Sequence, residues 1–141
     1  MRDMTPDEYR TFLQAGARTA MVATSRADGR PHLAPVWFLL DGDDLIFTCW
    51  HESVKARNLR RDPRVALCVD DESPPFDYVL VEGTAAISVD VADVLTWATR
   101  LAARYMGADQ AEAYGQRNGG AGEIVVRVTP TKVVAHAAVA E

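Results

Sequence analysis

The run Thr48-Cys49-Trp50-His51-Glu52-Ser53-Val54-Lys55-Ala56-Arg57-Asn58-Leu59-Arg60-Arg61-Asp62-Pro63-Arg64-Val65 places a dense group of cations at the start of a short helix. Ser53 is a favourable N-cap, and Pro63 restricts Asp62, so the spacing predicts a helix of about two and a half turns between them. Lys55 then lies in the first turn, where a cation opposes the positive end of the helix dipole by roughly 0.3–1 kcal/mol; a bound phosphate reverses that sign. The pattern therefore reads as an anion site, with a solvated basic face that offsets nearby acids as the plainer alternative. Lys55 and Asn58 share a helix face at i,i+3, whereas Arg57 lies nearly opposite Lys55 and must reach around. Arg60 and Arg61 read as solvated, and Arg64, which opens a strand, as structural. His32, a lone strand histidine without a nearby carboxylate, is assigned no catalytic role. There is no nucleophile elbow, no His-rich metal motif and no Walker or Rossmann glycine pattern, which leaves hydrolase and nucleotide-kinase chemistry without residues to carry it.

The chain that must position these residues has 141 residues, 48% of them apolar and 25% charged, which fits one globular domain over 1–141 with a real core. Its formal charge of −5 argues against nucleic-acid partners, whose binding depends on Lys and Arg neutralising phosphates. No apolar run approaches the ~20 residues of a membrane span, and the N-terminus lacks the apolar core of a signal peptide, so the expectation is a cytoplasmic protein without membrane partners. Cys49 and Cys68 have no second Cys or His at metal-ligand spacing and read as reduced, buried thiols.

A first helix is marked by Thr5 as cap, Pro6 at its first position, Glu8 completing a capping box and Gly16 as stop. Thr19–Ser25 and Pro31–Leu40 flank the Asp28-Gly29 hairpin signal, and Asp41-Gly42-Asp43 turns the chain into Asp44–Cys49, a three-strand meander. A fourth strand spans Arg64–Asp70, and a fifth, after a polar Pro-rich loop, runs from Tyr78 to Val89. Val94, Trp97, Leu101 and Tyr105 then mark one side of a helix from about Val91 to Met106 and read as core or interface. The Gly-containing segment 107–122 has no clear periodicity, and a last strand, Glu123–Val134, is ended in part by Pro130-Thr131. Six strands, of which the first three are consecutive hairpin partners with only one short helix before the fourth, imply a mostly β fold, a six-stranded antiparallel barrel with flanking helices. Its interior is too small for a large cofactor, which puts any ligand on the outer face or at a subunit junction and points to a dimer.

Three segments carry a family resemblance: Gly29-Arg30-Pro31-His32-Leu33-Ala34-Pro35-Val36-Trp37-Phe38, the run from Lys55 to Val65, and Val81-Glu82-Gly83-Thr84-Ala85. Together they resemble the pyridoxamine phosphate oxidase-like, FMN-binding split β-barrel superfamily over about residues 5–134, and more narrowly its branch that uses the deazaflavin coenzyme F420. The resemblance implies a homodimer with two cofactor sites at the interface. It implies phosphate and tail binding by Lys55, Arg57 and Asn58, with Thr48 as a hydroxyl donor. Pro35, Val36 and Trp37 match the strand on which the ring lies, and Phe76 and Tyr78 match a region that approaches the ring from the other subunit. Physically, a planar hydride carrier needs an apolar slab on one face and backbone polar groups at its edge, and a Pro-containing strand with a broken ladder frees such groups. The plainer alternative is that Val36 and Trp37 are barrel core on opposite faces, which for Trp37 weighs the same as ring contact. Trp50 and His51 are candidate tail or substrate contacts. No catalytic side chain is assigned, because the cofactor carries the reactive centre and the protein supplies orientation and exclusion of water. Three activities are compatible: F420-dependent reduction of a small conjugated molecule such as an enone, quinone or tetrapyrrole, an FMN-dependent oxidoreductase, and a non-enzymatic carrier of a flavin, deazaflavin or haem-like ligand.

Overall fold

In the computed structural model, which describes residues 1–141, the chain opens with a two-residue strand β1 (Arg2–Asp3) and the helix α1 (Pro6–Gln14). The capping box is formed as its residues dictate: the Glu8 N–H donates to Thr5 Oγ1 at 3.3 Å, and the Thr5 N–H to Glu8 Oε1 at 3.2 Å. Then come β2 (Ala20–Ser25), β3 (Pro31–Val36), β4 (Leu39–Asp41), β5 (Asp44–Trp50), α2 (Val54–Arg61), β6 (Arg64–Asp70), β7 (Tyr78–Ser88) and α3 (Val91–Met106). A 3₁₀ turn (Ala108–Gln110), α4 (Ala111–Asn118) and the long β8 (Glu123–Ala137) complete the chain. No helix is long and apolar enough to cross a membrane.

All pairings are antiparallel, in the order β3-β2-β6-β7-β8-β5-β4, with β1 on β8. The two ends of that order are joined covalently through Trp37 and Phe38, so the sheet is rolled into a barrel whose seam is this dipeptide. The sheet has eight strands rather than six. One of the extra strands is β1. The other arises because 31–40 is shared between two partners: its first half pairs with β2 (Ala20↔Val36) and its second with β5 (Leu39↔Ile46), leaving Trp37 and Phe38 with neither. Helix α3 satisfies the freed backbone. The Phe38 N–H donates to Tyr105 Oη at 3.1 Å, and Arg104 Nη1 donates to the Phe38 carbonyl at 2.6 Å, which avoids the ~1–3 kcal/mol penalty of an orphaned buried group.

The barrel interior is filled by a cluster of 19 buried residues, among them Val22, Phe38, Leu45, Phe47, Leu67, Val81, Ile124 and Val126, so a ligand has no room inside. Helix α3 spans the expected residues, and its Val94 and Trp97 pack outside the barrel on Ile46 and Val125. Segment 107–122, which had no clear periodicity, forms the 3₁₀ turn and α4. Gly115 and Gly119 allow it: a Cβ at Gly119 would lie 3.0 Å from the Ala98 Cβ, and one at Gly115 would overlap the Thr99 hydroxyl. A helix pair this close requires residues without side chains at the crossing. Strand β8 continues through Pro130-Thr131 instead of ending there, because the register with β7 shifts between Glu82 and Gly83 and the irregularity absorbs the missing proline N–H.

Candidate functional site

An open cavity of about 600 Å³ lies outside the barrel, where the end of β3, strand β5, the first turn of α2, the end of α3, helix α4 and the start of β8 converge. This is within the range of small-molecule sites. Pro35, Val36 and Trp37 form one wall; Thr48, Cys49 and Trp50 come from β5; Ser53 and Lys55 come from the start of α2. The remaining lining is Met106, Tyr114, Arg117, Asn118 and Glu123.

Local bonds fix the cationic side. The Ser53 hydroxyl accepts the Ala56 N–H at 3.2 Å and caps α2, which puts Lys55 in the first turn as the sequence requires. The turn before it is tied to β8: the His51 N–H donates to the Gly122 carbonyl at 2.9 Å, and His51 Nδ1 lies 2.9 Å from the same oxygen. Gly122 has φ 89° and lies under the Trp50 indole, so a side chain there would be both strained and in collision with the ring. The pairing Trp50↔Glu123 then sets the Glu123 carboxyl at the cavity edge. On the opposite wall, Trp37 stacks on Tyr105 with centroids 4.9 Å apart and planes 2° from parallel, so the half-buried indole is braced from behind.

The Lys55 ammonium, in the cavity lining, makes no ion pair or hydrogen bond within the chain. Glu123 is the one carboxylate of the lining; burial pushes its proton affinity up, and His51 and Lys55 pull it back down. Burial also pushes the Cys49 thiol up, which keeps it a neutral thiol and not a nucleophile. His32 lies outside the cavity lining. Burial, with Arg26 and Lys55 adding to it, lowers its proton affinity, and its Nδ1 is buried without a partner. Cys49 and Cys68 are both free, but only Cys49 is buried as expected; Cys68 is half-buried, because its side of β6 faces outward.

Of the residues expected from sequence, Pro35, Val36, Trp37, Thr48 and Lys55 are brought together in this one cavity. Trp37 lines the cavity half-buried, and Val36 both lines it and is buried in the core. Asn58 is not brought there: it is 4% exposed, and its amide donates to Thr24 Oγ1 at 3.0 Å, stitching α2 to β2. Arg57 is exposed and outside the lining. Arg60 donates to the His51 carbonyl at 2.6 Å and Arg61 to the Ser25 carbonyl, so both are tied to backbone rather than merely solvated. Arg64 pairs with Asp62 at 2.7 Å, a structural role. Phe76 is exposed on the loop before β7, with φ 65°, and does not reach the cavity of its own chain.

Sequence reasoning missed Met106, Tyr114, Arg117, Asn118 and Glu123. The Gly115–Gly119 spacing was the available signal for α4, and the i,i+3 and i,i+4 placement of Tyr114, Arg117 and Asn118 then puts all three on one face. A second depression, about 480 Å³, opens on the outer side of the sheet at Ala23, Ser25, Pro31, Ala66 and Glu82; its one arginine is Arg64, already neutralised by Asp62. The first cavity is the chemically equipped one. It can hold an anion at Lys55 and a flat apolar group against Pro35–Trp37, but it contains no activated nucleophile.

Known proteins share this architecture. A conserved hypothetical protein of Mycobacterium tuberculosis is 26% identical with a TM-score of 0.86, over 96% of this chain and 86% of that one. An F420 reductase is 29% identical with a TM-score of 0.70, over 87% of this chain and 94% of its own. The haem storage protein HutZ of Vibrio cholerae, 16% identical with a TM-score of 0.72 over 94% and 96%, is similar in fold. The profile described as pyridoxamine 5'-phosphate oxidase matches residues 5–137, from before α1 to the end of β8, and the chain belongs to that family.

Proposed function

We propose that this protein is a cytoplasmic, homodimeric F420-dependent oxidoreductase that reduces a small conjugated molecule such as an enone, a quinone or a tetrapyrrole. The observation that carries the reading is the single cavity joining an unpaired first-turn cation, Lys55, to the braced apolar wall of Pro35, Val36 and Trp37. The likeness to an F420 reductase supports the choice of cofactor. Bound there, the deazaflavin would supply the hydride. Lys55 would hold its phosphate, where the anion also reverses the unfavourable helix-dipole term, and Thr48 would donate its hydroxyl nearby. Trp37, held flat by Tyr105, would give the ring a slab and exclude water from that face. The proton that completes the reduction would come from solvent, since no side-chain dyad adjoins the wall.

The dimer is supported by the outer face of β2, β3 and β6. Leu33 is 61% exposed and Met21 36%, and the register sets Met21 beside Pro35 and Cys68, and Ala23 beside Leu33 and Ala66, an apolar surface suited to a second copy. Phe76 would approach the partner's ring from its loop. Titration with F420 and with FMN at low and high salt tests the reading. F420 should bind more tightly, with the steeper salt dependence its anionic tail imposes; tight FMN binding without F420 binding would replace it with the FMN alternative. Turnover of an enone or quinone by reduced F420 separates an enzyme from a carrier.

A further inference from the structure

We propose that Arg117, on helix α4, is a second anion-binding residue of this cavity, and that it selects ligands carrying an anionic group beyond the one held by Lys55. The inference rests on the reading above for the place of the first anion. Only Lys55, Arg57, Arg100, Arg117 and Lys132 among the cations have no ion pair and no side-chain hydrogen bond within the chain. Lys55 and Arg117 are the two of these that line the same cavity, and they come from different helices. Arg100 has the Trp97 ring at 4.9 Å, outside the cavity. The Arg117 guanidinium lies 5.7 Å from the centroid of the Tyr114 ring, one turn earlier on the same face. Tyr114 is half-buried, and α4 is locked on α3 by the Gly115 and Gly119 crossing, so packing sets the helix that presents the exposed Arg117 at the cavity rim. Asn118, also in the lining, adds a neutral donor beside it. A planar guanidinium with five donors, unpaired in the free protein, fits a carboxylate or a second phosphate. A ligand with one phosphate engages Lys55 alone; one with a further phosphate or carboxylate engages both.

The test is to measure dissociation constants of FMN, FAD and F420 for the wild type, Arg117→Ala and Arg117→Lys in the full-length protein, with thermal melting to check folding. Arg117→Ala should weaken F420 or FAD by about fivefold to tenfold, the effect of one partly exposed charged hydrogen bond, and change FMN by less than about twofold. It should also flatten the salt dependence of the affected ligand, and Arg117→Lys should restore most of the affinity. Equal losses for the ligand with one phosphate and for those with a further anionic group, or no loss, overturn the proposal even if F420 binds well. Arg117-dependent binding of FAD with no F420 binding keeps the proposal and removes the F420 reading. Failure of all three ligands to bind the wild type removes both.

Discussion

Helices α2 and α4 face the same cavity with opposite economies of charge. Helix α2 carries four cations, Lys55, Arg57, Arg60 and Arg61, in eight residues, whereas α4, also eight residues long, carries one, Arg117, with Glu112 in its first turn. Each nevertheless contributes one cation to the cavity. The rest of the α2 charge is used elsewhere: Arg60 and Arg61 sit in the last turn, where they complement the helix dipole and bind the His51 and Ser25 carbonyls, and Arg57 faces solvent. The density of cations in α2 therefore reports mainly how its C-terminal end is fastened to the barrel. Position in the first turn, not abundance, is what singles out Lys55 as the proposed anion ligand.

The comparison breaks first at Lys55. Lys55→Ala should weaken F420 binding by about 1.5–3 kcal/mol, roughly tenfold to a hundredfold, with little change in the melting of the unliganded protein. An unchanged dissociation constant by fluorescence titration would leave Arg117 as the leading cation and transfer the phosphate to α4. The next largest effect is on stability. Asn58→Ala removes a buried bond to Thr24 and should cost about 1–2 kcal/mol in denaturant unfolding, while the folded fraction keeps its cofactor affinity. A selective loss of affinity at full folding would return Asn58 to the binding group and make α2 a two-residue ligand face.

What could be read from the sequence follows the range of the interactions involved. The Ser53 cap, the capping box of α1, the Asp28-Gly29 hairpin and the bounds of α3 were legible because each rests on residues within one or two turns of each other. The seam at Trp37-Phe38 was not, since the apolar run from Leu33 to Leu40 is uninterrupted and only the closure of the sheet divides it between β2 and β5. Asn58 shares a face with Lys55 by helical spacing, yet its partner is Thr24, 34 residues away on β2, and no local pattern announces that bond. Helix α4 was hidden by the glycines that make it possible: they lower helix propensity and at the same time permit the close crossing with α3. Half of the candidate cavity was thus visible as motifs and the other half only as packing.

Glu123 sharpens the comparison through pH. Burial favours its protonated form, so its proton leaves above the ordinary carboxylate value of 4.5, and the charge that then appears beside Lys55 repels an incoming anion. A bound phosphodiester favours the protonated form further, so binding takes up protons and affinity falls as pH rises through that window. The same sign holds for stability: the raised value in the fold makes a contribution that is full below the unfolded-state value and lost as pH rises through the folded one. Glu123→Gln should tighten F420 binding at neutral pH by about twofold to fivefold, the scale of a partly exposed charge pair, and flatten the pH profile above the ordinary carboxylate range. A Glu123→Gln variant with the wild-type profile would place the pH response elsewhere.

The smallest effect is expected at Arg57. It is exposed, lies outside the cavity lining and has no partner in the chain, so any attraction it exerts acts through water. At physiological ionic strength the screening length of about 8 Å leaves little of such an interaction beyond the cavity mouth. Arg57→Ala should therefore change the F420 dissociation constant by less than about twofold at ~0.15 M salt, with a larger difference, about threefold, emerging only at ~0.01 M. Lowering the salt tests the assignment directly, because a contact residue would show its loss at both concentrations and a long-range one only at the lower. A tenfold loss at high salt would mean that the ligand tail lies across the outer face of α2, and the abundance of cations on that helix would then matter to binding as much as the position of Lys55.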